Sequence, residues 1–99
     1  MTFNCSCSSL IGALTELGPI RLNEDDSIST NPFAWNQGAN ILFLESPGGV
    51  GFSFSLDSHY NYTDSSVAEL KFKALRSFYK KFPHFAENDF YITGESYAG

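Results

Sequence analysis

Basic residues, cysteine and histidine are all scarce in this sequence. Six Lys and Arg stand against eleven Asp and Glu, a formal charge of −5 over 99 residues. Binding phosphates needs clustered cations, so a nucleic-acid surface is excluded. Lys71, Lys73, Lys80 and Lys81 read instead as the solvated face and C-terminal cations of one helix. Cys5 and Cys7 are too few and too badly spaced for a zinc site. A bridge across one intervening residue would be strained, so both read as thiols without a partner in this chain. No metal or other cofactor is expected.

No apolar run approaches the length of a membrane span, and no membrane association is expected. The opening M-T-F-N-C-S-C-S-S-L has neither the basic start nor the apolar stretch of a signal peptide, so no route into the secretory pathway is visible in these residues. Asn4-Cys5-Ser6 and Asn61-Tyr62-Thr63 match the glycosylation sequon, which matters only on that route.

Aromatic groups are abundant. Ten Phe, five Tyr and one Trp are more than a disordered segment holds, so the chain is built to pack against something. The length allows one domain, taken as residues 1–99.

The densest signal is Asp89 to Gly99, D-F-Y-I-T-G-E-S-Y-A-G. Phe90, Tyr91, Ile92 and Thr93 suit a buried strand, and the run stops at Gly94. Ser96 then sits between small residues, as in the G-x-S-x-G nucleophile elbow, whose backbone turns too sharply for a neighbouring Cβ. Here Ala98 precedes Gly99. The bland alternative is a serine capping a helix.

Upstream, Leu10, Ile11, Leu14 and Leu17 recur at helical spacing within residues 8–17, with Ser8 or Ser9 as cap and Gly18-Pro19 as stop. Ile20 to Leu22 and Ile28 to Thr30 flank the acidic turn Asn23 to Ser27 and suggest a hairpin. Asn31-Pro32 starts a turn or single helical turn through Phe33, Ala34 and Trp35. Ile41-Leu42-Phe43-Leu44 is apolar on both faces, as in a parallel sheet covered by helices, and Gly48, Gly49 and Gly51 form the loop after it.

From about Ser66 to Phe82, Val67, Leu70, Ala74, Leu75, Phe78 and Phe82 mark an amphipathic helix. Ser66 and Glu69 have capping-box spacing, Glu69 and Lys73 form an i,i+4 pair, and Pro83 is the stop. The order strand, glycine loop, helix, strand and nucleophile turn is one βαβ unit. Glu45 and Ser96 are therefore expected on the same edge of the sheet.

A serine hydroxyl needs a base, and the base needs an orienting group. His59 and His84 both precede Ser96, whereas hydrolases with this elbow supply acid and histidine after it. His84 falls on the edge of the sheet away from the elbow. His59 lies on the functional side with no dedicated acid beside it. The Tyr97 N–H is placed as one oxyanion donor, and a loop near the N-terminus supplies the second. Glu95 beside the nucleophile either binds something basic or pairs with another carboxyl.

Four stretches make the resemblance specific: C-S-S-L-I-G-A-L-T-E-L-G-P at 7–19, N-P-F-A-W-N at 31–36, E-S-P-G-G-V-G-F-S at 45–53 and G-E-S-Y-A-G at 94–99. In this order, with Y-T-D-S-S-V-A, the chain resembles the serine carboxypeptidases. The resemblance implies an incomplete α/β-hydrolase fold of the α/β class, with one βαβ unit, an N-terminal helix and a hairpin. It implies removal of C-terminal residues from peptides in vacuoles, lysosomes or outside the cell. Ser96 is then the nucleophile, Tyr97 N–H an oxyanion donor, and Glu16 and Glu95 the pair that binds the substrate's C-terminal carboxylate. Such a pair donates only while it holds a proton, in keeping with acidic conditions.

The family's N-G-G-P-G is replaced by Thr2, Phe3, Asn4, Cys5 and Ser6. Asn4 stands at the oxyanion glycine, where its Cβ disfavours the backbone angle. Gly48 replaces a usual alanine. The segments with the acid, the histidine and the cysteine that usually bridges to the position of Cys7 are absent from these residues. The chain alone is expected to be inactive, its partners being a peptide with a free C-terminus and the rest of the domain. The alternatives are a non-catalytic binding module and an unrelated esterase fragment.

Overall fold

The computed structural model describes residues 9–94. Helix α1 spans Ser9–Thr15, strands β1 and β2 span Ile20–Leu22 and Ile28–Thr30, and helix α2 spans Asp64–Lys81. Short 3-10 turns lie at Trp35–Gln37 and Pro83–Glu87.

The hairpin forms as its pattern predicts, antiparallel, with Ile20 opposite Thr30 and Leu22 opposite Ile28. Its loop is closed by the acidic residues. Asp26 takes a positive φ of 62°, and the Asp25 carboxylate accepts from both the amide and the hydroxyl of Ser27. The Ser27 hydroxyl is the main reason the Asp25 carboxyl titrates below its ordinary value. Aspartate enters this left-handed region more readily than most residues, and here the side chain that bonds the turn is that of the preceding Asp25.

Helix α2 is the central helix of the expected βαβ unit, and its start corrects the sequence reading. The capping box joins Thr63 to Ser66, one turn earlier than Ser66 and Glu69. Thr63 Oγ1 accepts from the Ser66 amide at 3.2 Å, and Ser66 Oγ accepts from the Thr63 amide at 2.9 Å. A serine at the third helical position closes the box as glutamate would, which leaves Glu69 free to meet Lys73 at 2.6 Å on the solvent face. That lysine is what lowers the Glu69 pKa. The last turn holds Lys80 and Lys81 against the C-terminal dipole, and the helix stops before Pro83.

The two strands expected beside α2 are not formed among the described residues, where the one sheet is β1-β2. Ile41–Leu44 and Phe90–Thr93 have strand composition but no ladder partner. A segment becomes a strand only when a neighbour takes its amides and carbonyls. The apolar side chains follow suit. Leu42 is 44% exposed and Ile92 82%, and α2 has no fully buried residue. Aromatic contacts gather at its C-terminal end, where Phe78 lies 5.7 Å from Phe85 and Tyr79 6.0 Å from Phe90.

The accessible surface is 8357 Å². A compact chain of 11.0 kDa would expose about 5600 Å². The excess goes with the many large apolar side chains that nothing among the described residues covers. Of the turn or single helical turn expected from Asn31-Pro32, the turn forms: the Asn31 carbonyl accepts from Ala34 and its side chain from Phe33. A 3-10 turn follows at Trp35–Gln37.

Two outcomes are expected. Residues 1–99 alone should unfold gradually on heating, and a sharp cooperative transition in calorimetry would contradict the open packing described. Thr63→Ala should weaken α2 by about 1 kcal/mol, read as lost far-UV helicity and faster exchange of the Ser66 amide, while Thr63→Ser should keep the box.

Candidate functional site

Helix α1 is too short to hold itself together, since a single helical turn fixes several residues for one hydrogen bond. Its ends must find partners elsewhere. At the C-terminal end the amides of Glu16 and Leu17 both return to the Gly12 carbonyl, at 3.1 and 2.9 Å. The next four carbonyls all point at the segment 31–35. Asn31 Nδ2 donates to the carbonyls of Glu16 and Gly18, each at 2.9 Å. Trp35 donates to Leu17 at 3.0 Å, and the Asn31 amide to Pro19 at 2.9 Å.

Asn31 is 1% exposed, the most buried side chain described. Every polar atom of its carboxamide has a partner, since Oδ1 accepts from Phe33 at 3.1 Å. Gly18 fits the same knot because a Cβ there would strike the Ala13 carbonyl.

The N-terminal end is held by the segment around Glu45. Ser9 Oγ donates to the Leu44 carbonyl at 2.7 Å, and the Leu10 amide donates to Glu45 Oε1 at 2.7 Å. A carboxylate at this end also complements the helix dipole. The other Glu45 oxygen accepts from the Phe52 amide at 3.3 Å, and Ser53 Oγ donates to the Glu45 carbonyl at 2.8 Å. Glu45 thus buckles the glycine loop to α1. Gly51, at φ 54°, lies so close beneath that a Cβ would land on the Glu45 carboxylate. At Gly48 a Cβ would stand 2.7 Å from the Tyr62 hydroxyl, so the absence of a methyl makes room for that hydroxyl.

An open groove of about 740 Å³ runs from Glu45 and Ser46 past Phe52 and Tyr62 to Ser66 and Leu70. Its far rim is a polar turn. Asp57 accepts from the Ser55 hydroxyl and the His59 amide, and these two bonds, the hydroxyl foremost, lower its pKa. The contribution of such a carboxylate to stability is present above its unfolded pKa and is lost only as pH falls through the lower folded value. The rim therefore persists under mildly acidic conditions.

Of the expected site residues, the structure places Glu16. Its side chain is exposed at the end of α1 while its carbonyl is fixed by Asn31. Ser96, Tyr97, Glu95 and Asn4, with Cys5 and Cys7, lie outside the described residues. His59 is exposed, its Nε2 2.9 Å from the Asn61 carbonyl, and Asp57 meets its backbone rather than its ring. His84 is exposed beside Phe85. No cluster of three or more metal-ligating side chains occurs among the described residues, and no helix there is long and apolar enough to cross a membrane.

The residues that sequence reasoning missed are Asn31 and Glu45 as fasteners. Asn31-Pro32 signals a turn, but nothing local reveals that its carboxamide reaches back to Glu16 and Gly18.

Comparison with known proteins gives one family. A family model described as serine carboxypeptidase matches residues 5–99. The chain is 50% identical over 94 residues to the mouse lysosomal protective protein, covering 94% of the chain and 20% of that relative. It is 49% identical over 94 residues to a serine carboxypeptidase of Caenorhabditis elegans, with the same shares covered. A Dictyostelium discoideum serine carboxypeptidase family member is 41% identical over 100 residues, covering all of the chain and 24% of the relative. The chain thus spans about a fifth of the length of the curated relatives it matches.

Removing a fastener should loosen the joint it holds. Asn31→Ala leaves two carbonyls without donors, a loss of about 1–3 kcal/mol, and should speed exchange of the Trp35 amide. Asn31→Asp should be worse at neutral pH and recover in part on acidification, when the introduced carboxyl regains a donor. Glu45→Gln should speed exchange at Leu10 and Phe52 while leaving Trp35 unchanged.

Proposed function

Because the chain belongs to the serine carboxypeptidase family, we propose that the catalytic unit to which these residues contribute removes C-terminal residues from peptides by serine-dependent acyl transfer. The observation behind this reading is the match over residues 5–99, which takes in both Glu16 and G-E-S-Y-A-G at 94–99.

In this reading Ser96 Oγ attacks the scissile carbonyl. The N–H groups of Tyr97 and Asn4 receive the developing oxyanion. Glu16 and Glu95 share a proton and donate it to the substrate's terminal carboxylate, so binding weakens as that proton is lost. A carboxylate clamp separates this activity from simple ester hydrolysis.

The base that activates Ser96 is assigned to neither histidine here. His59 is engaged with its own loop and His84 lies beyond α2. The proton acceptor, its orienting acid and the strands that pair with Ile41–Leu44 and Phe90–Thr93 come from further parts of the same domain. The working compartment is secretory in origin, acidic and lysosomal or vacuolar, or extracellular. A second reading, a non-catalytic binding module, is favoured by Asn4 at the oxyanion glycine.

The full-length enzyme containing these residues, assayed on N-blocked dipeptides at acidic pH, tests the assignment. Ser96→Ala should lower kcat by roughly 10⁴-fold or more. Glu16→Ala or Glu95→Ala should raise KM for substrates with a free C-terminal carboxylate and leave C-terminal amides little affected. Undiminished turnover by Ser96→Ala, or serine-dependent hydrolysis by residues 1–99 alone, would sink it.

A further inference from the structure

The chain has asparagine at positions 4, 23, 31, 36, 40, 61 and 88. Only two are followed by any residue and then Ser or Thr, and only Asn61 of these lies among the described residues. Asn31, with proline next, is buried and fully bonded. Asn61 is the opposite case. It is exposed, on the loop between the Asp57 turn and the first residue of α2.

Its backbone carbonyl is 2.9 Å from His59 Nε2, and its side chain makes no hydrogen bond among the described residues. A carboxamide in that position offers its nitrogen to solvent and leaves room for a large substituent.

We propose that Asn61 is an N-glycosylation site; this rests on the secretory origin proposed above. The co-reactant is an oligosaccharide linked to a lipid diphosphate. Asn61 Nδ2 forms a bond to the first sugar's anomeric carbon, the bond from that carbon to the diphosphate oxygen breaks, and the amide loses a proton. The lipid diphosphate leaves with the electron pair.

Thr63 supplies the hydroxyl that the sequon requires. In the folded chain the same hydroxyl accepts from the Ser66 amide as the helix cap. The two uses are compatible in sequence: the sugar is attached while the segment is extended, and α2 then closes on Thr63. Asn61 lines the same groove as Phe52 and Phe54, which are 86% and 73% exposed. A bulky hydrophilic sugar thus stands beside exposed apolar side chains, where it favours solubility.

The test is peptide mapping of the protein purified from its own cells, after release of N-glycans by an amidase in heavy-oxygen water. Conversion of residue 61 to labelled aspartate is the expected result. Unconverted Asn61 in protein from a secreted or membrane-enclosed fraction overturns the proposal alone, and recovery only from cytosol overturns the compartment reading together with it. Cell-free translation into microsomes, with a cleavable leader fused to the chain, separates the residues. In a chain carrying Asn4→Gln, which removes the other sequon, protease-protected product should gain one glycan, none once Asn61→Gln is added and less with Thr63→Ser; protected product without a glycan, or a glycan that survives Asn61→Gln in that background, rejects the site.

Discussion

A helix of seven residues cannot satisfy its own ends, and the described fold is arranged around supplying what α1 lacks. Its trailing carbonyls need donors and its leading amides need acceptors. Asn31 and Trp35 meet the first need, and Glu45 and its neighbours the second. The turn after β2 and the glycine loop, distant in sequence, are drawn to opposite ends of one short element. This is a polar fastening rather than an apolar core. Ala34 is the one hydrophobic residue that counts as buried among those described.

The apolar groups are present in number but have nothing to cover them. Ile41–Leu44 and Phe90–Thr93 read as buried strands, and α2 has a stripe of Val67, Ala74, Leu75 and Phe78. Burying a large side chain contributes about 1.5–3 kcal/mol, so leaving Phe52, Leu56, Tyr91 and Ile92 mostly exposed forgoes much of what a closed α/β layer gains. Local chemistry persists without that gain. Capping boxes, Asx-type turns and the hairpin register all depend on groups a few residues apart, and all are in place.

This division also explains which features the sequence made legible. Periodicity and turn chemistry located α1, the hairpin, α2 and the stop at Pro83, because each is decided by neighbours along the chain. The capping box was displaced by one turn because Thr63 and Ser66 compete on equal chemical terms with Ser66 and Glu69. The flanking strands had the right composition, but pairing is a property of two segments and composition belongs to one. Asn31 and Glu45 were hidden for a related reason: their partners are 13–15 and 35 residues away, beyond any local pattern. The resemblance of G-E-S-Y-A-G and its companion motifs reached the family directly, because a motif is read as residues in order along one chain and needs no partner segment.

Glu16 shows how the fastening and the proposed chemistry fit together. A carboxyl that shares a proton with a partner has to be held in register, yet it must also exchange that proton with water. These demands conflict for a buried side chain. Here they are divided between backbone and side chain: the Glu16 carbonyl is tied to the buried carboxamide of Asn31, while the residue itself stays exposed. Stiffness enters through the peptide, and the side chain keeps its contact with water. The position of Glu16 therefore originates in Asn31, and in the proposed reading the precision of the carboxyl pair is limited by how well α1 stays pinned at both ends.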